Sequence, residues 1–424
     1  MLSLEFIREN PELVRRAVRD KGDSAEVDRI LALDAARREK VTATETLQAE
    51  RNAGSKEVGR LMKERPEEAG RLKIRMKALG ERIAALEQEL AGTQAELDGL
   101  LLRVPNVPDE DVPAGAGPQD NVEVRAWGAK PEFGFPPKAH WDLGEKLGIL
   151  DFARSAKIAG HGFAVLKGLG AKLERALIAY MLDLATKNGY TEVAVPYLVN
   201  RAAMQGTGQL PKLEEDMYRL AAEDLFLIPT AEVPVTNLHA GETLQAAELP
   251  LKYCCSSACF RREAGSYGKD TRGLVRVHQF DKVELVKITA QEASPAEHEN
   301  LLADAERVLQ GLGLHYRVLL LCRADLSFAA AKCYDLEVWA PGLGRYLEVS
   351  SCSNFRDFQA RRIGLRYREG QAKPRFCHTL NGSGTALPRL VIALLETCQQ
   401  ADGSILLPEA IRPYLGGLER ITAV

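Results

Sequence analysis

The segment FRREAGSYGKDTRG, residues 260–273, gathers four cations, Arg261, Arg262, Lys269 and Arg272, around two acids, Glu263 and Asp270. Glycines stand at 265, 268 and 273. An arginine fork matches phosphate oxygens and cannot lose its proton, so this composition points to an anionic ligand. Arg261 ends a strand-like run, LKYCCSSACF, and Arg276 sits near the start of another, LVRVHQF. Strand, glycine-rich cationic loop and strand would make a nucleotide cradle; a salt-bridged surface hairpin accounts for the segment equally well. Backbone-based solutions to phosphate binding are missing. GxxxxGK[ST] and a GxGxxG after a first strand are absent, and NGSG at 381–384 is too short for either. A nucleotide here must be held largely by side chains.

The elements that would position these residues follow from pattern. From about residue 140 onward, strand-like and helical stretches alternate. LERALIAYMLDLATKNG (173–189) is amphipathic and stops at Gly189; SPAEHENLLADAERVLQGLG (294–313) starts on Ser-Pro and stops on glycine. LFLIPT, LKYCCSSACF, LVRVHQFDKVELVKI, HYRVLLL, YDLEVWA and YLEVSSCS read as strands, and YTEVAVPYLV as one interrupted by Pro196. Adjacent strands with few intervening helices predict a mostly antiparallel sheet flanked by helices, an α+β domain.

Upstream, residues 27–102 are rich in Ala, Glu, Lys, Arg and Leu. Leu72, Met76, Leu79, Ile83, Leu86, Leu90, Thr93, Leu97 and Leu100 alternate steps of four and three, the coiled-coil rhythm. Thr44, Leu47, Arg51, Gly54, Val58 and Leu61 keep the same beat more weakly. Pro66, between them, suits a helix start. The pattern predicts an antiparallel helical hairpin, a coiled-coil arm reaching about 50 Å. Residues 51–82 carry ten Lys/Arg against five Asp/Glu, whereas 22–50 carry four against seven. The tip is basic and the root acidic, which favours a phosphate backbone as partner over a merely solvated face. We expect residues 1–103 to form this arm domain. Residues 104–139, rich in Pro and Gly, should be a linker, and 140–424 the catalytic domain.

The chain has 424 residues, 46% apolar and 27% charged, with a net charge of −3. That size allows two or three globular domains, and the charge excludes a globally basic nucleic-acid binder. MLSLEFIREN carries charges where a signal peptide needs an apolar core, and no apolar run approaches the roughly 20 residues of a membrane span. A cytoplasmic protein without membrane contact is expected. Cys254, Cys255 and Cys259 cluster without a second matching pair, so reduced buried thiols are expected and zinc is not.

CFRREAGSYGKDTRGLVRVHQFDKVEL (259–285) resembles motif 2 of the class II aminoacyl-tRNA synthetases in its seryl form. GYTEVAVPYLV (189–199) resembles motif 1, and TLNGSGTALPRLVIALLE (379–396) motif 3. IPTAEVPVTN (228–237) is similar to the Thr-x-Glu serine loop, and AAAKCYDLEVWAPGLGRYLEVSSCSNFRDFQARR (329–362) to the ATP-binding strands. With the hairpin, the blocks match the bacterial-type seryl family in order over the whole chain. The resemblance implies a ligase that activates L-serine with ATP and transfers it to the 3′ end of tRNA(Ser), and of tRNA(Sec). It also implies Mg²⁺ with the ATP and a homodimer built through motif 1.

The resemblance implies residue roles as well. Arg261, Arg389 and Glu348 would be catalytic, with Arg261 bridging the α-phosphate and the serine carboxylate and Arg389 meeting the γ-phosphate. Glu263 would accept from the adenine amino group, with Val277 and Phe280 against the base. Glu348, Val349, Ser350 and Ser351 would contact ATP, and Glu348 and Ser351 the Mg²⁺. Arg262 would also contact ATP, while for Arg262 and Lys269 a flexible loop that meets pyrophosphate or the tRNA acceptor end only transiently stays open as the plainer reading. Serine would be held by Thr230, Ala231, Glu232, Arg261, Glu284, Asn381 and Ser383, with Glu232 on the ammonium and Glu284 and Ser383 on the hydroxyl. His278 in RVHQF reads as structural.

CRADLSFAAAK (322–332) departs from the family, with Ala324 and Ser327 where glycines are expected, and Phe355 replaces a small residue. Three rival functions would each leave a mark in the sequence. A non-catalytic tRNA-binding paralogue would be favoured by loss of Arg261, Glu263, Glu284 or Arg389, and all are present. An enzyme charging a carrier protein would lack the arm. A threonine or proline relative fits neither the arm nor the context of Glu284.

Overall fold

Residues 1–264 and 272–423 are described in the computed structural model of the protein. The chain divides into two units, Leu2–Pro105 and Met1 with Asn106–Val424.

The first unit holds helices α1 (Leu4–Glu9), α2 (Pro11–Asp20), α3 (Val27–Glu64) and α4 (Pro66–Leu101). Only Arg65 separates the two long helices, and Pro66 takes the first position of α4, where a missing N–H leaves nothing unsatisfied. Contacts between them run antiparallel. Arg29 pairs with Glu96, Lys40 with Glu89, and Gln48 donates to Glu87. The heptad positions face inward: Ile83, Leu86, Thr93 and Leu97 are buried, as is Thr44 on α3, and the positions nearer the tip are half-buried. At Gly54 an added Cβ would lie 2.2 Å from Met76 Sδ, so the glycine lets the helices approach at that step. Asp34, 2% exposed, is met by Arg8, Arg37 and Arg38. Burial pushes its carboxyl up, but the hydrogen bonds from Arg37 and Arg8 outweigh this and hold it below the usual range.

The second unit is built on one eight-stranded sheet. Its strands are β1 (Val122–Trp127), β2 (Thr191–Glu192), β3 (Leu251–Phe260), β4 (Gln279–Thr289), β5 (Tyr316–Leu320), β6 (Lys332–Ala340), β7 (Arg345–Asn354) and β8 (His378–Ala386). The order is β1-β5-β6-β7-β8-β4-β3-β2, antiparallel throughout except for the β2–β3 edge pair. Helices α5 (His140–Lys146), α6 (Phe152–Ala159) and α7 (Leu169–Lys187) precede β2. The short α8 (Arg201–Thr207) and α9 (Glu232–Thr236) lie between β2 and β3. Helix α10 (Ser294–Gly311) joins β4 to β5, α11 (Phe358–Ile363) follows β7, and α12 (Leu387–Thr397) follows β8. The core lies between the sheet and α7, α10 and α12, with Leu177, Leu301, Leu336, Leu380 and Leu394 inside it.

Two expectations change. Residues 122–127 fall in the stretch expected as a linker, yet they form β1 and pair with β5, Val122 opposite Leu320 and Trp127 opposite Tyr316. VEVRAW alternates apolar and polar residues, but the flanking Pro and Gly hid the strand; every residue of β1 is exposed, and edge pairing, the Arg125–Glu306 ion pair and Trp127 stacked on Tyr316 hold it. YTEVAVPYLV is two strands rather than one. Thr191–Glu192 joins the large sheet, and Leu198–Asn200 pairs with Leu225–Leu227 in a separate three-stranded sheet. Pro196 between them removes a ladder donor.

No helix among the described residues is long and apolar enough to cross a membrane. All eight cysteines are free thiols, seven of them buried.

Candidate active site

A cavity of about 630 Å³ opens on the sheet where β3, β4, β7 and β8 lie side by side. Strand period two decides what faces it. Along β4, Phe280 and Lys282 line the cavity and Glu284, on the same face, bonds to the lining residues Thr230 and Asn381, while Val283 and Leu285 enter the core on the other face. On the neighbouring β8, Ser383 stands opposite Glu284, and Asn381 lies two residues along on the same face.

On β7 the alternation is broken. The β6–β7 register shifts between Leu336 and Glu337, whose partners are Ser350 and Glu348, so Val349 is a bulge residue. Residues three apart on a regular strand point to opposite faces. The bulge reverses the alternation, so Glu348, Ser351 and Ser353 all line the cavity while Leu347, Val349 and Cys352 pack into the core.

At one end of the cavity lies a closed polar network. Lys282 forms an ion pair with Glu284, their side chains 7% and 0% exposed. Lys282 Nζ also donates to Thr230 Oγ1 at 2.9 Å, and the Glu232 backbone N–H donates to the same oxygen at 3.2 Å. Both partners can only donate, so the Thr230 proton points to Glu284 Oε2, 2.7 Å away. Asn381 Nδ2 donates to Glu284 Oε1 at 2.9 Å and to Glu232 Oε2 at 3.2 Å. Gln359 on α11 donates to Glu232 Oε1 at 2.6 Å and accepts from Thr379 at 2.7 Å. Burial, and then the charge of Glu284, push the Glu232 carboxyl up to about 7.

At the other end are arginines. Arg261 Nε donates to the Pro229 carbonyl at 3.3 Å, and its guanidinium lies 5.2 Å from the centre of the Phe280 ring. Among the described residues its two terminal nitrogens have no partner. Arg389, in the first turn of α12, donates through Nε to the Val275 carbonyl and through Nη1 to the Glu348 carbonyl, and lies 3.6 Å from the Glu348 carboxylate. Glu263 ion-pairs with Arg276 and has a φ of +51°, a left-handed conformation uncommon for a residue with a side chain, at the point where the chain leaves β3.

Most of the expected site residues therefore meet in one place. Thr230, Glu232, Arg261, Glu263, Val277, Phe280, Glu284, Glu348, Val349, Ser350, Ser351, Asn381, Ser383 and Arg389 line the cavity or bond directly to its lining, Val349 with its side chain in the core. Ala231 and Arg262 do not. Ala231 is buried in an apolar cluster with Val235, Cys255 and Val286. Arg262 is exposed beyond the end of β3, donating to the Glu215 carbonyl. Consecutive side chains near a strand end diverge, so Arg262 leaves the cavity that Arg261 faces. Lys269 lies outside the described residues.

His278 is not among the residues that line the cavity. Its Nδ1 lies 3.0 Å from the Arg261 carbonyl, its backbone N–H bonds to Gly162, and its ring packs on Phe163. Gly162, at φ +80°, sits so close that an added Cβ would fall 2.4 Å from the ring. Sequence reading missed Lys282 and Gln359. Lys282 carried a signal, two residues before Glu284 on one strand face. Gln359 carried none, because it arrives from a helix far along the chain.

Among the described residues no three His, Cys, Asp or Glu side chains converge as a metal cage. Glu348 and Ser351 supply two oxygen donors on one face. That fits an ion taking few ligands from protein and the rest from phosphate and water.

Comparison with known proteins gives the following. Residues 215–398 match the tRNA synthetase class II core domain (G, H, P, S and T), and residues 1–108 the seryl-tRNA synthetase N-terminal domain. A serine–tRNA ligase of Geotalea uraniireducens is 54% identical over 423 residues, 99% of this chain and 100% of that protein. Among solved structures, seryl-tRNA synthetase from Pyrococcus horikoshii complexed with ATP superposes with a TM-score of 0.96 at 39% identity, covering 100% of both chains. The cytoplasmic serine–tRNA ligase of Naegleria fowleri, in complex with AMP, gives 0.90 at 31% identity, covering 100% of this chain and 99% of that one.

Proposed function

The chain belongs to the seryl-tRNA synthetases of class II, and from that premise we propose that this cavity joins L-serine to ATP and passes the seryl group to the 3′ end of tRNA(Ser). One observation carries the reading: an arginine fork whose terminal nitrogens have no partner among the described residues shares a single cavity with a pocket holding two buried carboxylates. The fork suits phosphate and carboxylate oxygens, and the carboxylates suit an ammonium group and a hydroxyl.

In the first step the serine carboxylate attacks the α-phosphorus of ATP in line, giving seryl-adenylate and pyrophosphate. In the second, the terminal ribose hydroxyl of tRNA attacks the acyl carbon and AMP leaves. The protein supplies position and charge rather than a nucleophile. Arg261 offers one terminal nitrogen to the α-phosphate and the other to the serine carboxylate, and Arg389 meets the γ-phosphate. Val277 and Phe280 lie against the adenine, whose amino group finds its acceptor in Glu263. Val349, Ser350 and Ser351 line the nucleotide. Glu348 and Ser351 would hold Mg²⁺, which offsets phosphate charge when bound. Glu232 takes the substrate ammonium, Glu284 and Ser383 its hydroxyl, and Thr230 and Asn381 orient those carboxylates. A site that bonds a hydroxyl disfavours alanine strongly, because its buried polar groups are left unpaired.

The basic tip of the α3–α4 arm grips the tRNA backbone by shape, with tRNA(Sec) accepted on the same terms. The protein works in the cytoplasm as a homodimer. Exposed Tyr197 and Leu198, in the segment resembling motif 1, support the dimer. ATP–pyrophosphate exchange run against a panel of amino acids tests the activity. Exchange with serine alone is expected; exchange with threonine, proline or none would overturn it.

A further inference from the structure

Among the described residues, the serine pocket contains two buried carboxylates but one internal ion pair. Glu284 has Lys282 beside it and two neutral donors, Thr230 and Asn381. Among the described residues Glu232 has neutral donors, Gln359 and Asn381. The charged groups that act on Glu232 are Glu284 and Lys282 from β4 and Arg261 beyond β3, and none of them is bonded to it. Cys255 and Cys259 on β3 keep their protons, because burial raises both thiols, Cys255 to about 12.

Resting on the functional reading above, we propose that Lys282 is a positioning residue that divides the work of the two acids. By pairing with Glu284 and turning the Thr230 proton onto it, Lys282 leaves Glu232 as the one uncompensated carboxylate, the seat of the substrate ammonium. An uncompensated buried carboxyl holds a proton in the empty pocket, so binding of the ammonium expels that proton. Glu232 stands near 7 for this reason, and serine affinity falls as pH drops below that value.

The sign for the variant follows. Lys282 lowers the Glu232 carboxyl and Glu284 raises it. Removing a neighbouring cation raises a carboxyl by about one unit or more. In Lys282→Met, the pH below which serine KM climbs should therefore move up by about one unit, and at neutral pH KM should rise by a larger factor than kcat falls. In Lys282→Met/Glu284→Gln both charges are gone, and the acid limb should return to the wild-type position or below it. The experiment measures serine KM in ATP–pyrophosphate exchange from acid to alkaline pH for the full-length protein and both variants. An acid limb at the same pH in wild type and Lys282→Met would overturn the assignment. If the single variant does not fold, calorimetric titration of the wild type with L-serine decides. About half a proton should be released per site at a pH equal to the Glu232 value and almost none two units higher; no release at the lower pH overturns the assignment. Wild-type protein without serine-dependent exchange would overturn the functional reading itself, whereas exchange with an unmoved acid limb overturns only the role of Lys282.

Discussion

The arm and the cavity both carry many charges, and they use them in opposite ways. On the arm, ion pairs sit in water: Arg29 and Glu96 are 52% and 46% exposed. Such pairs contribute little, about 0–1 kcal/mol, and do not decide the fold. In the cavity, Lys282 and Glu284 are sealed from water, and breaking such a pair leaves an uncompensated buried charge worth about 3–5 kcal/mol. Exposed charge tolerates loss and serves a long-range field. Buried charge must be satisfied group by group, and can therefore select one ligand.

Substitutions in the two regions should therefore differ widely in cost. Arg261→Ala removes the fork from the cavity, and serine-dependent exchange should fall about 1000-fold, the loss seen when a transition-state charge loses its donor. Near-normal exchange would mean that the buried site does not depend on this cation. Replacing residues 30–100 by a short linker should spare exchange and lower tRNA charging about 100-fold, with a weaker salt dependence of tRNA binding. Unchanged charging would remove the arm from tRNA recognition. Glu284→Ala should reduce the serine-over-alanine preference in exchange by about tenfold or more. The ratio is the readout, because Lys282 left without its partner also lowers stability; an unchanged ratio would refute the hydroxyl role. Arg29→Ala on the arm should shift stability by at most about 1 kcal/mol in urea denaturation and leave exchange at the wild-type rate. A larger loss would show that the arm also relies on specific pairs.

Acid adds a check on the second unit. His298 is buried, its Nε2 2.8 Å from the Cys352 carbonyl, and burial pushes it down to about 4. A depressed folded-state value means that stability is fully present above the ordinary histidine range and is lost as pH falls towards 4. Glu232 works in the opposite sense, its contribution fading as pH rises through 7.

Amino-acid order alone determined the arm. Its period of three and four, and a proline at position 66, specify two long helices and the turn between them, because helix formation and heptad packing depend on near neighbours. Order also pointed, through the resemblance of its motifs to a family, to most of the residues that share the cavity, Arg261, Glu232 and Arg389 among them. Tertiary structure decided how they meet. The bulge at Val349 turns Glu348 and Ser351 to one face, which no reading by strand alternation yields. Strand register sets Ser383 opposite Glu284, and α11 brings Gln359 onto Glu232 from 127 residues away in sequence. Edge pairing made a strand of 122–127, whose short alternation VEVRA lies among prolines and glycines and buries no face. These outcomes depend on contacts between distant segments, where the free energy lies in burial and pairing and local propensity is silent.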